Sequence, residues 1–102
     1  MSNVLLDLNY STFQVELFTL QKAEQTAFLT TCNKIRQMTW EMVYKDRGLR
    51  WEEIISKRNK AGDKIYSIRF SQKYRSTVVR DRDFMVFLSI HPDHDSTYVK
   101  RD

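Results

Sequence analysis

The chain has 102 residues, of which 41% are hydrophobic and 29% are charged, and its formal net charge is +4. This length and this apolar fraction predict one globular domain over residues 1–102 and exclude an intrinsically disordered chain. A single cysteine excludes an internal disulfide, and neither a run of 18 apolar residues nor a signal peptide is found, so we expect a cytoplasmic protein without a membrane partner.

The first half of the chain predicts one strand followed by two helices. TFQVELF (12–18) alternates apolar and polar residues, which is typical of a half-buried strand. QKAEQTAFLTTCNKIRQM (21–38) has apolar residues at helical spacing and no glycine or proline, so we expect a helix there. Thr39 is suited to cap a second, short helix over 40–47, which Gly48 would end.

The second half of the chain predicts a sheet. Four segments are expected to be strands: 49–55, 64–71, 75–81 and 83–90. The last one is an almost continuous apolar run, so we expect it to be central or covered on both faces, and to end at Pro92. The order of elements predicts an α+β fold, in which two helices from the N-terminal half pack on an antiparallel sheet of four to five strands.

Basic residues are concentrated in the predicted sheet. Residues 1–48 are neutral overall, whereas 57–82 contain nine basic and two acidic residues, a net charge of +7. Such a surface attracts nucleic acid or an acidic protein, although an ordinary solvated sheet face remains the alternative. The basic residues that we expect to contact RNA are Lys57, Arg58, Lys60, Lys64, Lys73, Arg80 and Arg82.

HPDHDSTY (91–98) contains both histidines of the chain, beside two aspartates and a tyrosine. If the strand over 64–71 lies next to the strand over 83–90, this segment meets the arginines of the sheet. Histidine changes its charge near pH 7 and serves as a general base or acid, while arginine stabilises charge on phosphoryl oxygens. The combination suits metal-independent cleavage of RNA through attack of the 2′-hydroxyl, with the tyrosine stacking on a base.

Other interpretations of this segment stay open. The two aspartates could make turn hydrogen bonds after Pro92, and the histidines could serve in binding alone. A metal site is the weaker alternative, because the sequence has no third histidine and no second cysteine to complete a ligand set. We therefore predict neither a metal nor another cofactor.

KIYSIRFSQKYRSTVVRDRDFMVFLSIHPDHDSTY (64–98) resembles the sheet of the RelE/ParE superfamily of bacterial toxins, and the order of elements is similar over most of the chain. The resemblance implies a RelE-like fold and the toxin of a type II toxin–antitoxin system. Such a toxin would be an endoribonuclease that cleaves messenger RNA on the ribosome and inhibits translation. Its partner would be a cognate antitoxin protein, through which the complex would bind operator DNA.

The resemblance also implies a catalytic set. Arg69 matches a strand lysine of the family, and Arg75 matches its central arginine. His94 falls near a late basic position, which is arginine in many members, and Tyr98 matches the terminal tyrosine. The chain departs from the family because histidines and aspartates stand where RelE-like sequences are rich in lysine and arginine. The predicted catalytic residues are His91, His94, Arg75, Tyr98 and Arg69.

Two alternatives from other functional classes remain. The ParE branch of the superfamily poisons DNA gyrase and is not a nuclease, and a shared fold does not fix function. The chain could also be a basic RNA- or protein-binding module without toxicity.

Overall fold

The computed structural model of the chain describes residues 2–58 and 62–93. Within them the chain forms five strands and three helices. In chain order they are β1 (Leu5–Asp7), α1 (Ser11–Thr19), α2 (Lys22–Ile35), α3 (Trp40–Lys45), β2 (Glu52–Arg58), β3 (Lys64–Arg69), β4 (Tyr74–Asp81) and β5 (Phe84–Pro92).

The strands form one mixed sheet in the order β1-β5-β4-β3-β2. The pairs β2–β3, β3–β4 and β4–β5 are antiparallel, whereas β1 runs parallel to β5. The predicted α+β class is confirmed, and the expectation of a purely antiparallel sheet is wrong at β1. Short turns force neighbouring strands to be antiparallel, but most of the chain separates β1 from β5, so no turn dictates their direction.

The predicted strand over 12–18 is wrong, because this segment is helix α1. Phe13 and Leu17 are buried and Val15 is 66% exposed, which is the pattern of a helix whose positions i and i+4 face the core. Three apolar residues at alternate positions fit either period in so short a segment. The first strand instead lies earlier, at Leu5–Asp7, and the helices number three in the described chain.

The other predicted elements are found with shifted ends. Thr39 caps α3 as predicted, since its side chain accepts a hydrogen bond from Met42 N at 3.3 Å, but the helix ends at Lys45, ahead of Gly48. Strand β2 begins at Glu52 and not at residue 49. Before it, the chain bends at Arg50, which has a φ of 51°.

The helices cover one face of the sheet. Phe28 of α2 is fully buried and contacts the rings of Phe13, Phe70 and Phe87, with centroids 5.2 to 5.3 Å apart. Strand β5 lies between β1 and β4, so it is an internal strand and not an edge strand, which agrees with the first of the two predicted positions. Among the described helices, none combines the length and apolar character needed to cross a membrane.

Candidate functional site on the open face of the sheet

Two rows of polar residues lie on the open face, which we define as the face of the sheet opposite the helices. The cationic row is Arg69, Arg75 and His91, which are directly paired across β3, β4 and β5. The hydroxyl row is Ser67, Thr77 and Ser89, which are paired across the same strands. Paired residues share a face of a sheet, so both rows project on the same side.

A β-bulge brings the end of β5 to the open face. Val78 pairs with Phe87, but the preceding Thr77 pairs with Ser89, so Leu88 is an extra residue on β5. Phe87 faces the helices, and without the bulge the alternation of a strand would turn Ser89 and His91 towards them as well. The bulge reverses this alternation, which is a common use of bulges near functional sites.

Arg75 is the most enclosed cation of the site, with 5% of the residue exposed. Its Nε and Nη2 donate to Ser67 Oγ at 3.2 and 2.7 Å, and Nη2 also donates to the carbonyl oxygen of Arg50 at 3.0 Å. Burial lowers the pKa of the Arg75 guanidinium, and the neighbouring Glu52 carboxylate opposes this effect. Arginine titrates so far above neutrality that the group stays a cation, held in one orientation.

Glu52 is the carboxylate nearest to Arg75. Its Oε1 lies 3.5 Å from Nη2 of Arg75, and its Oε2 lies 3.5 Å from Nη2 of Arg50. The side chain is more than half exposed, so both contacts are long and solvated. A pairing of this kind contributes little binding energy, so an incoming phosphate can compete with it for the guanidinium.

Arg69 is held differently, by the buried carboxylate of Asp93. Its Nε donates to Asp93 Oδ2 at 3.0 Å, and Asp93 is 2% exposed. The main-chain nitrogen of Asp93 donates to the carbonyl oxygen of Lys73 at 2.6 Å. These two contacts connect the end of β5 to β3 and to the turn before β4.

His91 lies at the rim of the site with an exposed ring. Its Nε2 is 2.8 Å from Ser89 Oγ, and Ser89 Oγ is 2.5 Å from Thr77 Oγ1. The imidazole is therefore connected to the hydroxyl row, while its Cα position is paired with that of Arg75. This arrangement places a proton-exchanging group beside a fixed cation.

A pocket of about 450 Å³ opens over both rows. Strand β2 forms one wall through Glu52, Glu53, Ile54 and Lys57, and the floor and the other wall consist of Ser67, Arg75, Thr77, His91 and Pro92. A volume of this size lies in the usual range for small-ligand pockets. It combines cations, hydroxyl groups and apolar surface.

The structure brings together three of the predicted catalytic residues, Arg69, Arg75 and His91. The condition stated for this convergence, that the strand over 64–71 neighbours the strand over 83–90, is not met, because β4 lies between them. The groups still meet, since β4 itself carries Arg75. The predicted residues His94, Tyr98 and Lys60 lie outside the described residues.

The predicted RNA-binding residues are spread over several surfaces. Lys57 lines the pocket, and Arg58 of the same strand is 3.5 Å from Glu53. Lys64 and Lys73 are exposed near the ends of β3 and β4.

Arg80 and Arg82 lie at the other end of β4 from His91. The guanidinium of Arg80 lies 4.6 Å from the centroid of the Trp40 ring and donates to the Tyr44 hydroxyl at 2.6 Å. Arg82 occupies the turn between β4 and β5 with a φ of 58°. Arg80 is thus engaged by aromatic residues, and neither residue belongs to the two rows.

The sequence reasoning missed the hydroxyl row and both carboxylates that hold the arginines. A usable signal was the alternation in β4, where Arg75 and Thr77 share a face. No such signal exists for the contact of Asp93 with Arg69 or for the bulge in β5 that reverses the alternation of its side chains. Both depend on how strands that are distant in the sequence pair with each other.

Cys32 is a buried free cysteine. Burial raises the pKa of the Cys32 thiol to about 12, so it is a poor nucleophile at neutral pH. Within residues 2–58 and 62–93, no group of three or more His, Cys, Asp or Glu side chains is placed to hold a metal ion.

Comparison with known proteins returned no match from protein-family models, from curated proteins or from solved structures. The resemblance to the RelE/ParE superfamily stays a prediction from the sequence.

Proposed function

We propose that the protein is a RelE-like toxin of a type II toxin–antitoxin system, a cytoplasmic endoribonuclease that cleaves messenger RNA at the cationic row. The observation that carries the proposal is the pairing of His91 with the enclosed Arg75 beside a pocket large enough for one nucleotide. The described order is a short strand, three helices and then a basic sheet, so the first strand and the number of helices differ from those on which the resemblance rests.

The proposed reaction is a transesterification at phosphorus. The 2′-oxygen of the substrate forms a bond to phosphorus while its hydroxyl proton passes to an imidazole. The bond between phosphorus and the 5′-oxygen breaks, and the leaving oxygen takes a proton from a second group, for which the sequence offers the other histidine, His94. The products are a 2′,3′-cyclic phosphate and a free 5′-hydroxyl.

The two arginines have separate roles in this proposal. Arg75 points into the pocket from a fixed position, so it suits stabilisation of the charge that develops on the phosphoryl oxygens. Arg69 is partly exposed and adds positive potential beside it. Tyr98 would stack on a base, as the sequence predicts for its position.

The proposed partners follow from the charge of this surface. Messenger RNA on the ribosome is the substrate, and its backbone phosphates match the basic residues of the sheet. A cognate antitoxin would block the same surface with acidic side chains, and it would carry the complex to operator DNA.

Growth on induced expression tests the proposal, combined with mapping of the 5′ ends of messenger RNA. The wild type is compared with His91→Ala, with Arg75→Lys and with the control Arg36→Ala, which removes an arginine at the end of α2, on the covered side of the sheet. Arg75→Lys keeps the charge but loses the forked donor geometry. We expect growth arrest and new messenger RNA 5′ ends in the wild type and the control. In the two site variants we expect about a hundredfold fewer new 5′ ends and no growth arrest.

Each other result identifies a different function. Growth arrest without new messenger RNA ends would replace the nuclease by a gyrase poison of the ParE type. Absence of arrest, with the folded protein present in the cell, would overturn both toxin functions and leave a binding module.

A further inference from the structure

The hydroxyl groups of Ser89 and Thr77 give the exposed ring of His91 a fixed direction. We infer that Ser89 and Thr77 are positioning residues, which hold Nε2 of His91 so that Nδ1 exchanges the proton with the substrate. The catalytic part of this inference rests on the proposed function, whereas the orientation of the ring does not.

The distances define a continuous chain of hydrogen bonds. Nε2 of His91 is 2.8 Å from Ser89 Oγ, which in turn is 2.5 Å from Thr77 Oγ1. A hydroxyl group donates one hydrogen bond and can accept another. If Nε2 carries a proton, it donates to Ser89, and Ser89 donates to Thr77.

When the hydrogen bonds are donated in this direction, from His91 to Ser89 to Thr77, Nδ1 is the basic nitrogen of the ring. A neutral imidazole carries one proton, so a proton on Nε2 leaves the lone pair of Nδ1 available. When Nδ1 takes a proton, Nε2 keeps its own proton and its bond to Ser89. The ring therefore changes charge without any rotation of the two hydroxyl groups, which is the condition for a preorganised acid or base.

The pairing of the strands fixes the positions of the three residues in this series of hydrogen bonds. Ser89 is two residues from His91 on one strand, and Thr77 is directly paired with Ser89 on the next. The bulge at Leu88 is what turns these side chains to the same face. Short side chains on paired strands have few alternative rotamers, so the position of the acceptor is set by the sheet itself.

A purely structural role explains these contacts less well. The His91 ring is exposed, so water could satisfy Nε2 without any protein partner. Thr77 is buried, and burial of a hydroxyl group requires a partner, which Ser89 provides. Ser89 is only partly buried, but it connects the exposed ring to the buried hydroxyl of Thr77. The hydrogen bond that one ring nitrogen makes sets which nitrogen carries the proton, so this contact acts on the chemistry of the ring.

Two readouts test the inference separately. The first is the ¹⁵N NMR spectrum of the histidine rings in the purified protein, at a pH at which the rings are neutral, with His91→Ala used to assign the signals. We expect one fully protonated Nε2 and one unprotonated Nδ1 for His91. In Ser89→Ala the two shifts should move towards each other, because the restraint on the tautomer is lost.

The second readout is the kinetics of RNA cleavage in a purified translation reaction. We expect Ser89→Ala to lower kcat by up to about 100-fold with KM within about twofold, because the ring loses its fixed orientation. Ser89→Thr keeps a hydroxyl group and should restore most of kcat. Ser71→Ala is the matched control, since the Ser71 hydroxyl binds main-chain nitrogens at the turn before β4, and it should leave kcat unchanged.

The outcomes are distinguishable. A mixed tautomer in the wild type, or no effect of Ser89→Ala on the shifts, would overturn the hydrogen-bonded orientation. A correct tautomer with kcat unaffected by Ser89→Ala would overturn the positioning role. If the wild type cleaves no RNA, the catalytic part fails together with the proposed function, and the NMR result still decides the orientation.

Discussion

Each face of the sheet encloses one large side chain, but by opposite means. On the covered face, Phe28 packs among three other rings, and the contacts are apolar. On the open face, Arg75 is enclosed by a serine hydroxyl, a main-chain carbonyl and a carboxylate. Successive residues of β4 serve the two faces in turn, so the pleat separates the residues that stabilise the fold from those that form the site.

The difference has an energetic reason. Apolar burial is favourable for any group of suitable shape, whereas a buried polar group needs a partner at a defined distance. Among the buried side-chain polar atoms of the described residues, Glu24 Oε1 alone lacks a hydrogen bond, and it lies on α2. The buried polar groups of the open face therefore have hydrogen-bond partners, but each depends on one or two particular residues. A substitution that removes a partner destabilises this face, whereas a substitution that removes apolar volume destabilises the covered face.

The largest effect is expected on the covered face. Phe28→Ala removes a fully buried ring with three aromatic neighbours, so we expect a loss of about 3–5 kcal/mol in the free energy of unfolding. Denaturation by urea measures it. Phe18→Ala is the matched control, because Phe18 is 74% exposed, and it should change stability by less than about 0.5 kcal/mol. Equal losses in the two variants would contradict the assignment of the core to this face.

An intermediate effect is expected for the ion pair of the open face. Asp93→Asn keeps the shape of the side chain but leaves the charge of Arg69 without its carboxylate, so we expect a loss of about 2 kcal/mol. Arg69 is partly exposed, which keeps the cost below that of a fully buried pair. Asp81→Asn, at the exposed end of β4, is the control in the same urea titration. A loss below about 0.5 kcal/mol for Asp93→Asn would mean that this face tolerates unpaired charge.

The smallest change in the free energy of unfolding is expected for an ion pair outside the sheet, which serves as a reference for the Arg69–Asp93 pair. Lys34 Nζ lies 2.9 Å from Asp46 Oδ2. Burial alone would raise the pKa of the Asp46 carboxyl, but the hydrogen bonds from Lys34 and from the main chain of Leu49 and Gly48 outweigh it and lower the pKa. Ion pairs of this exposure contribute less than about 1 kcal/mol.

The sign of the pH dependence follows from the lowered pKa. The unfolded chain binds the proton first as the pH falls, so the stabilisation is present above about pH 4 and is lost as the pH falls through the folded-state pKa. The stabilities of the wild type and Asp46→Asn should therefore differ at pH 7 and approach each other as the pH falls below the pKa of a free aspartate. A difference that stays constant through this titration would show that the contribution is not ionic.

Much of the fold follows from local patterns in the sequence. The helix over Lys22–Ile35, the cap at Thr39 and the strands β3, β4 and β5 all have a period or a side-chain preference that is visible in a short window. The strand prediction over 12–18 is wrong because seven residues with apolar side chains at alternate positions are too few to distinguish a strand from a helix. Only the burial of Phe13 and Leu17 against the sheet decides between them.

The site was predicted in part. Arg69, Arg75 and His91 could be identified from charge and residue type, and the sheet pairs them in one row. The bulge at Leu88 could not be predicted, because a bulge is defined by the register between two strands, which a single sequence does not contain. The same holds for Asp93, whose partner Arg69 is two strands away.

The parallel pairing of β1 with β5 has a consequence for synthesis of the protein. Leu5 pairs with Phe84, so β1 leaves the ribosome well before its partner β5 has been synthesised. Contacts between such distant positions form late, because a long loop must close first. Arg75 likewise gains its neighbour His91 only when β5 is made. A nascent chain therefore carries an incomplete site until nearly all of the sheet has been translated.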